Sequence, residues 1–329
     1  MQLPVLSYIE AVTQALDEEM SRDENVFVMG EDVGKRGGVF QATKGLYDKY
    51  GENRVIDTPL AESAIAGVGI GAAMYGMRPV AEMQFSDFML PAANQIISEA
   101  AKTRYRSNNE WSVPMTIRAP FGGGVHGGLY HSQSMEAIFA NVPGLKIVIP
   151  STPYDVKGLL KASIRDNDPV IFFEHKRAYR LIKGEVPVDD YTIPLGTADV
   201  KRVGTDVTVI TYGLMVHYAM QAADKLAAEG ISTHILDLRT VYPLDKEAII
   251  EAARKTGKVL LLTEDTKEGS VISEAAAIIA ENCLFDLDAP IRRLAAPDAP
   301  AMPYAGPLEH AFMVKPEQVE KEIRNLAEF

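Results

Sequence analysis

Lys146-Ile147-Val148-Ile149, then Pro150-Ser151-Thr152-Pro153, then Val170-Ile171-Phe172-Phe173 is the stretch from which the fold is read. The first and last runs are short, apolar and rich in β-branched or aromatic residues, as buried strands are. Between them a cap residue and a proline in the first turn open a helix. That helix carries Val156, Leu159, Leu160 and Ile164 before Asp166-Asn167-Asp168-Pro169 ends it. A strand, a helix and a second buried strand imply a parallel pair joined by a crossover, hence an α/β sheet covered on both faces.

The same alternation extends in both directions. Upstream, Ser7 and Glu10 have capping-box spacing ahead of a stripe of Ile9, Val12, Leu16 and Met20. Short apolar runs follow at Asn25 to Gly30, at Arg54-Val55-Ile56 and at Met115-Thr116-Ile117. Downstream, Tyr179 to Asp199 lacks both periodicities and contains Pro187 and Pro194, so a linker is expected there. The alternation then restarts with strands at Val207 to Ile210, His234 to Leu238 and Val259 to Leu262. Helices are expected up to Gly230, up to Gly257, over Ser270 to Asn282 and over Pro316 to Ala327. The reading is two α/β domains with mostly parallel sheets: 1–180, a linker at 181–199, and 200–329.

A chain of 329 residues is too long for one compact core, which agrees with two domains. The net charge of -12 and the absence of any long basic run argue against nucleic-acid binding. No apolar stretch reaches the roughly 18 residues of a membrane span. The N-terminal segment shows no basic region followed by an apolar block, so a secreted protein is not expected. Cys283 is the single cysteine, which excludes an internal disulfide framework. A cytoplasmic enzyme or enzyme subunit is expected.

Three segments could carry chemistry. Gly67-Val68-Gly69-Ile70-Gly71-Ala72 partly fits a dinucleotide fingerprint, with Asp87 beyond it, but Glu62, Ser63 and Ile65 stand where a strand should end. The small residues Ala64, Gly67, Gly71 and Ala72 are read instead as a helix surface that another helix can approach closely. Glu62 opens that helix. It is either a carboxylate favoured by the helix dipole or, in an apolar pocket, an acid that exchanges a proton with a ligand nitrogen. The third segment is Phe121-Gly122-Gly123-Gly124-Val125-His126-Gly127-Gly128-Leu129-Tyr130-His131-Ser132-Gln133. Its two histidines match no zinc spacing, and a histidine acting as acid or base just before a helix suits it better. No Gly-x-Ser-x-Gly elbow supports a nucleophilic serine.

Taken as a set, several blocks resemble the β chain of the 2-oxo acid dehydrogenase first component (E1), in the transketolase-like superfamily. They are Met29-Gly30-Glu31-Asp32-Val33, Gly37-Gly38-Val39-Phe40, Asp57-Thr58-Pro59-Leu60-Ala61-Glu62 and Gln84-Phe85-Ser86-Asp87-Phe88. Arg104-Tyr105-Arg106-Ser107, His131-Ser132-Gln133, Pro150 to Tyr154, Asp237-Leu238-Arg239-Thr240 and Ala296-Pro297-Asp298 continue the resemblance. It implies a pyrimidine-binding domain followed by a transketolase C-terminal-like domain. It further implies an α2β2 heterotetramer with an E1 α subunit, and thiamine diphosphate shared between the two kinds of chain.

In that resemblance Glu62 hydrogen-bonds N1′ of the aminopyrimidine, while Leu60 and Phe88 contact the ring. His131 faces the substrate and orients or protonates the lipoyl group, and His126 shapes the loop. A potassium ion is implied near Met115, Thr116, Ser163, Ile164, Asp166 and Asp168; a plain helix boundary at Asp166 to Pro169 is the competing reading. Asp168 stands where many relatives have asparagine. A Gly-Asp-Gly with a following asparagine pair, the pattern holding Mg2+ and diphosphate, is absent here, so those groups fall to the α subunit. The implied reaction is oxidative decarboxylation of a 2-oxo acid with reductive acylation of a lipoyl group on the E2 acyltransferase. Gly127 to Gln133 and Ala81 to Phe85 read closest to the branched-chain enzymes. Pyruvate and acetoin enzymes, or a non-catalytic subunit binding E2, are the alternatives.

Overall fold

The computed structural model describes residues 3–329. They divide into two compact units: one takes the chain up to Phe121 and Ile138–Leu195, the other Gly122–Ala137 and Gly196–Phe329.

The first unit begins with β1 (Val5–Ser7) and α1 (Tyr8–Arg22). The predicted capping box is present: the Ser7 N–H donates to Glu10 at 2.7 Å, and the Glu10 N–H donates back to Ser7 Oγ. Next come β2 (Val26–Gly30), α2 (Leu46–Tyr50), β3 (Val55–Asp57), α3 (Glu62–Met74) and β4 (Arg78–Glu82). A 3-10 turn over Ser86–Ala92 and a π-type turn over Gln95–Ala100 lead to α4 (Thr103–Arg106) and β5 (Thr116–Phe121). After α5 (Glu136–Ala140), which crosses the division at residue 137, run β6 (Lys146–Val148), α6 (Pro153–Arg165), β7 (Val170–His175), α7 (Ala178–Leu181) and β8 (Lys183–Glu185).

The strands of this unit's main sheet are parallel and ordered β6-β7-β5-β4-β2-β3. Their alternate residues face opposite layers. Val26, Val28, Val80, Val148, Val170 and Phe172 pack against Val12, Leu16, Leu159 and Leu160 of α1 and α6. On α3, Ile65, Ala66, Gly69, Ile70 and Ala73 are buried. A Cβ on Gly69 would stand 2.5 Å from Met115 Cε, so the buried methionine would have to shift to admit one. The segment expected as a linker is in part ordered onto this unit. β8 pairs antiparallel with β1, Tyr191 stacks on Tyr154 at 4.8 Å, and the Ile193 N–H donates to Gly158 at 3.1 Å.

The second unit contains β9 (Asp199–Arg202), β10 (Val207–Thr211), α8 (Leu214–Ala227), β11 (Thr233–Asp237) and β12 (Thr240–Tyr242). It continues with α9 (Lys246–Thr256), β13 (Val259–Thr266), α10 (Val271–Cys283), β14 (Arg292–Ala296), α11 (Gly306–Phe312) and α12 (Pro316–Ala327). Its five-stranded sheet is ordered β14-β13-β10-β11-β9, parallel except at β9. α8 and α12 cover one face through Ala219, Ala223, Leu226, Val319 and Ile323. No helix among the described residues is long and apolar enough to cross a membrane.

Candidate active site

In open parallel sheets ligands gather beyond the carboxyl ends of the strands, where the strand order reverses. The first unit has such a point, because β2 lies between β3 on one side and β4 on the other. The connections leaving these three strands carry the candidate residues. The Gly34 N–H, after β2, donates to Asp57 Oδ1 at 2.6 Å, and the Thr58 N–H donates to the Gly30 carbonyl at 2.9 Å. These bonds clasp the Met29–Val33 block to the connection that ends in Glu62.

Glu62 is the first residue of α3, where free N–H groups and the helix dipole favour a negative charge. It is half-buried, and Leu60 beside it is 70% exposed. Phe88 sits in the turn after β4, half-buried. Ser63 Oγ donates to the Pro91 carbonyl at 3.0 Å, so the start of α3 is bonded to the turn that holds Phe88. Phe88 meets Phe85 edge-on at 5.4 Å, Phe85 meets Phe40 at 5.6 Å, and Phe40 meets Tyr179 at 5.2 Å. Glu62, Leu60 and Phe88 are thus brought to one edge of the sheet. Thr58 Oγ1, in the same connection as Glu62, is buried without a hydrogen-bond partner. An acid, an apolar side chain, a flat ring and an unsatisfied hydroxyl fit an aminopyrimidine, which offers ring nitrogens and two apolar faces. Glu31 was not singled out in the sequence. Its carboxyl is pushed above the usual range by burial, with Asp32 and Glu62 adding their charges.

The small-residue face of α3 is in large part exposed. Close packing inside the unit occurs at Gly69, whereas Ala64, Gly67, Val68 and Gly71 point outward and Tyr75 is 92% exposed.

A second feature missed in the sequence lies in the sheet itself. Arg118 on β5 is fully buried and reaches Glu82 on β4 at 2.6 Å and Glu174 on β7 at 2.6 and 2.8 Å. Burial opposes its charge, but Glu174 and Glu82 more than compensate and hold the guanidinium protonated. Tyr179 completes the group by donating to Glu174 at 2.6 Å.

The positions expected to hold potassium are already occupied by protein donors. Arg78 donates to the carbonyls of Ile164 and Asp166 at 3.0 and 2.9 Å. Lys146 bonds the Asp166 carboxylate at 2.7 Å, and Arg104 bonds Asp168 at 2.5 Å. The Ser163 hydroxyl donates to Leu159, and the Met115 carbonyl accepts from Val170. Thr116 Oγ1 alone among these groups is buried without a partner. The two carboxylates are paired with Lys146 and Arg104. Among the described residues no cluster of three or more His, Cys, Asp or Glu could hold a metal.

The glycine-rich segment belongs to the second unit although it lies within 1–180. Gly122, Gly124 and Gly128 have φ of +81°, +77° and +70°, a region that side chains disfavour. The Gly123 N–H donates to Glu264 Oε1 at 2.6 Å, and the Gly124 and His126 N–H groups donate to Glu309 Oε1 at 3.1 and 3.0 Å. His131 is half-buried on this segment. A helix was expected to begin near Ser132, but α5 starts only at Glu136. Ser132 to Met135 stay irregular, and the His131 N–H bonds back to Gly128 at 3.4 Å.

Comparison with known proteins agrees with this architecture. Residues 5–182 match the pyrimidine-binding domain of transketolase and residues 196–319 match its C-terminal domain. A solved chain of a split-gene transketolase, an inactive β4 tetramer, superposes with a TM-score of 0.80 at 21% identity, covering 98% of each chain. The fold is thus that of the transketolase-type domain pair.

Among relatives, the 2-oxoisovalerate dehydrogenase subunit β of Bacillus subtilis (strain 168) is 74% identical, covering 99% of this chain and 100% of its own. The pyruvate dehydrogenase E1 component subunit β of the same organism is 51% identical, over 89% and 90%. That of Acholeplasma laidlawii is 44% identical, over 99% of both chains. The chain belongs to the family of 2-oxo acid dehydrogenase β subunits.

Proposed function

We propose that this chain is the β subunit of a thiamine-diphosphate-dependent dehydrogenase acting on branched-chain 2-oxo acids and transferring the acyl group to a lipoyl arm of an E2 acyltransferase. The observation that carries the reading is Glu62 at the first residue of α3, bonded through its neighbour Ser63 to the turn that presents Phe88. The identity of 74% to a 2-oxoisovalerate dehydrogenase subunit, against 51% to a pyruvate dehydrogenase subunit, supports the branched-chain substrate.

Thiamine diphosphate, when bound, supplies the nucleophilic carbon and the electron sink for decarboxylation. Glu62 would hold a proton on the aminopyrimidine nitrogen, with Leu60 and Phe88 against the ring. His131 would orient or protonate the lipoyl group. The exposed face of α3 around Gly67 and Gly71 supports docking of an E1 α subunit in an α2β2 assembly, with Mg2+ and the diphosphate held on that partner. A monovalent cation such as potassium would use the Thr116 hydroxyl and second lone pairs of the carbonyls near Met115, Ser163 and Ile164. Asp166 and Asp168 would stay with Lys146 and Arg104. Placement in the cytoplasm rests on the free, buried Cys283.

Co-expression with an α subunit, followed by decarboxylation assays on a panel of 2-oxo acids, tests this reading. Branched substrates should give the highest kcat/KM, and thiamine diphosphate should bind the assembly far better than the isolated chain. A preference for pyruvate, or tight Mg2+-dependent binding to the chain alone, would contradict it.

A further inference from the structure

The glycine-rich segment could not hold one conformation by itself. With three glycines in the left-handed region and no regular secondary structure before Glu136, its backbone has few internal partners, such as the Gly122 N–H on the Gln133 carbonyl and the His131 N–H on that of Gly128. What fixes it comes from much later in the chain. Glu309, on α11, is 3% exposed and turns both carboxylate oxygens toward the segment. Oε1 accepts the N–H groups of Gly124 and His126 at 3.1 and 3.0 Å, while Oε2 lies 2.6 Å from the His126 imidazole Nδ1.

His126 itself has φ +57°, an uncommon value for a residue with a side chain, so it needs external restraint. Gly128 follows with φ +70°, where a Cβ would stand 3.2 Å from the Tyr304 ring, close to the start of α11. Gly123 is held next door by Glu264 Oε1 at 2.6 Å. Glu264 on β13 and Glu309 on α11 therefore hold three amides of one loop. The imidazole of His126 turns its Nδ1 to Glu309, and only Nε2 is left for another partner.

We propose that Glu309 is a positioning residue: it clamps Gly124 and His126, makes His126 the loop's anchor, and thereby sets where His131 stands for acyl transfer. The clause about acyl transfer rests on the function proposed above; the clamp itself does not. Glu309 has no place in the reaction as such. Its effect would pass from His126 through four intervening residues to His131.

The test compares Glu309→Ala and Glu309→Gln in the full chain assembled with an α subunit. Glutamine keeps one acceptor oxygen for the two amides, whereas alanine keeps none. Amide hydrogen exchange over residues 122–131, read by mass spectrometry, should quicken about tenfold or more in Glu309→Ala and largely recover in Glu309→Gln. The rate of acyl transfer to a free lipoyl domain should follow the same order, with decarboxylation to an artificial acceptor much less affected. Unchanged exchange in Glu309→Ala would overturn the clamp. So would faster exchange without a matching fall in acyl transfer, provided that His131→Ala, assayed in parallel, does lower that transfer. If His131→Ala leaves acyl transfer intact, the role given to His131 fails by itself, and the exchange data alone decide the clamp.

Discussion

Tyr212 donates its phenol to Glu136 Oε1 at 3.0 Å, in the interior of the second unit and five residues beyond His131. The other oxygen of Glu136 is buried without a hydrogen-bond partner. Burial raises the Glu136 carboxyl to about 8, with Asp265 and Glu264 adding their charges. Glu136 is therefore largely neutral at pH 7, and the segment that carries His131 ends on an uncharged acid.

The sign of the pH effect follows from linkage. The folded value lies above the unfolded one of about 4.3, so the folded chain holds the extra proton. This contribution to stability is complete below pH of about 4.3 and is lost as pH rises through about 8. Thermal unfolding midpoints of wild type and Glu136→Gln, compared between pH 5.5 and 9, should diverge upward. The wild type should lose ground relative to the glutamine variant as pH increases. Parallel curves would show that Glu136 is ionised throughout.

The Arg118 group makes a different demand. Removing the arginine leaves Glu82 and Glu174 buried beside one another without a counter-charge, which costs about 3–5 kcal/mol. Arg118→Met should lower the unfolding free energy obtained from urea melts by about 3–5 kcal/mol. Adding Glu82→Gln and Glu174→Gln should restore much of it, since neutral groups carry less desolvation penalty. A single Arg118→Met variant as stable as wild type would contradict this assignment.

Much of the architecture was legible in the sequence because it is local. The capping box at Ser7, the Thr152-Pro153 start of α6, the Gly257 end of α9 and the limits of α12 all depend on residues a few positions apart. The turns over Ser86–Ala92 and Gln95–Ala100 were not, since neither has the period of a strand or of an α-helix, and Pro91 sits inside the first. Within the expected linker 181–199, β8 is not legible because it is three residues long and its partner β1 is equally short. Glu62, Phe88 and His131 were found through family resemblance and their place in motifs. No local pattern could reveal Glu309, which meets His126 across 183 positions, or Arg118, whose strand reads as an ordinary buried run.

In the proposed function, His131 would distinguish the two half-reactions. Opening the lipoyl disulfide leaves a thiolate that needs a proton donor with a value near neutrality, a role suited to imidazole. Decarboxylation draws its driving force from the cofactor. His131→Ala in the assembled enzyme should therefore lower acyl transfer to a free lipoyl domain by about 10²-fold or more, with a smaller loss of decarboxylation to an artificial acceptor. Equal losses would instead indicate general disorder of the loop.

The central claim is that Glu62 exchanges a proton with the aminopyrimidine, and Glu62→Gln tests it most directly. The substitution keeps the size of the side chain and its place at the first residue of α3 but removes the acid. Hydrogen–deuterium exchange at C2 of thiamine diphosphate, measured by quenched-flow NMR on the assembled protein, should slow by about 10²–10⁴-fold while assembly with the α subunit stays intact. Exchange at the wild-type rate in Glu62→Gln would contradict the account.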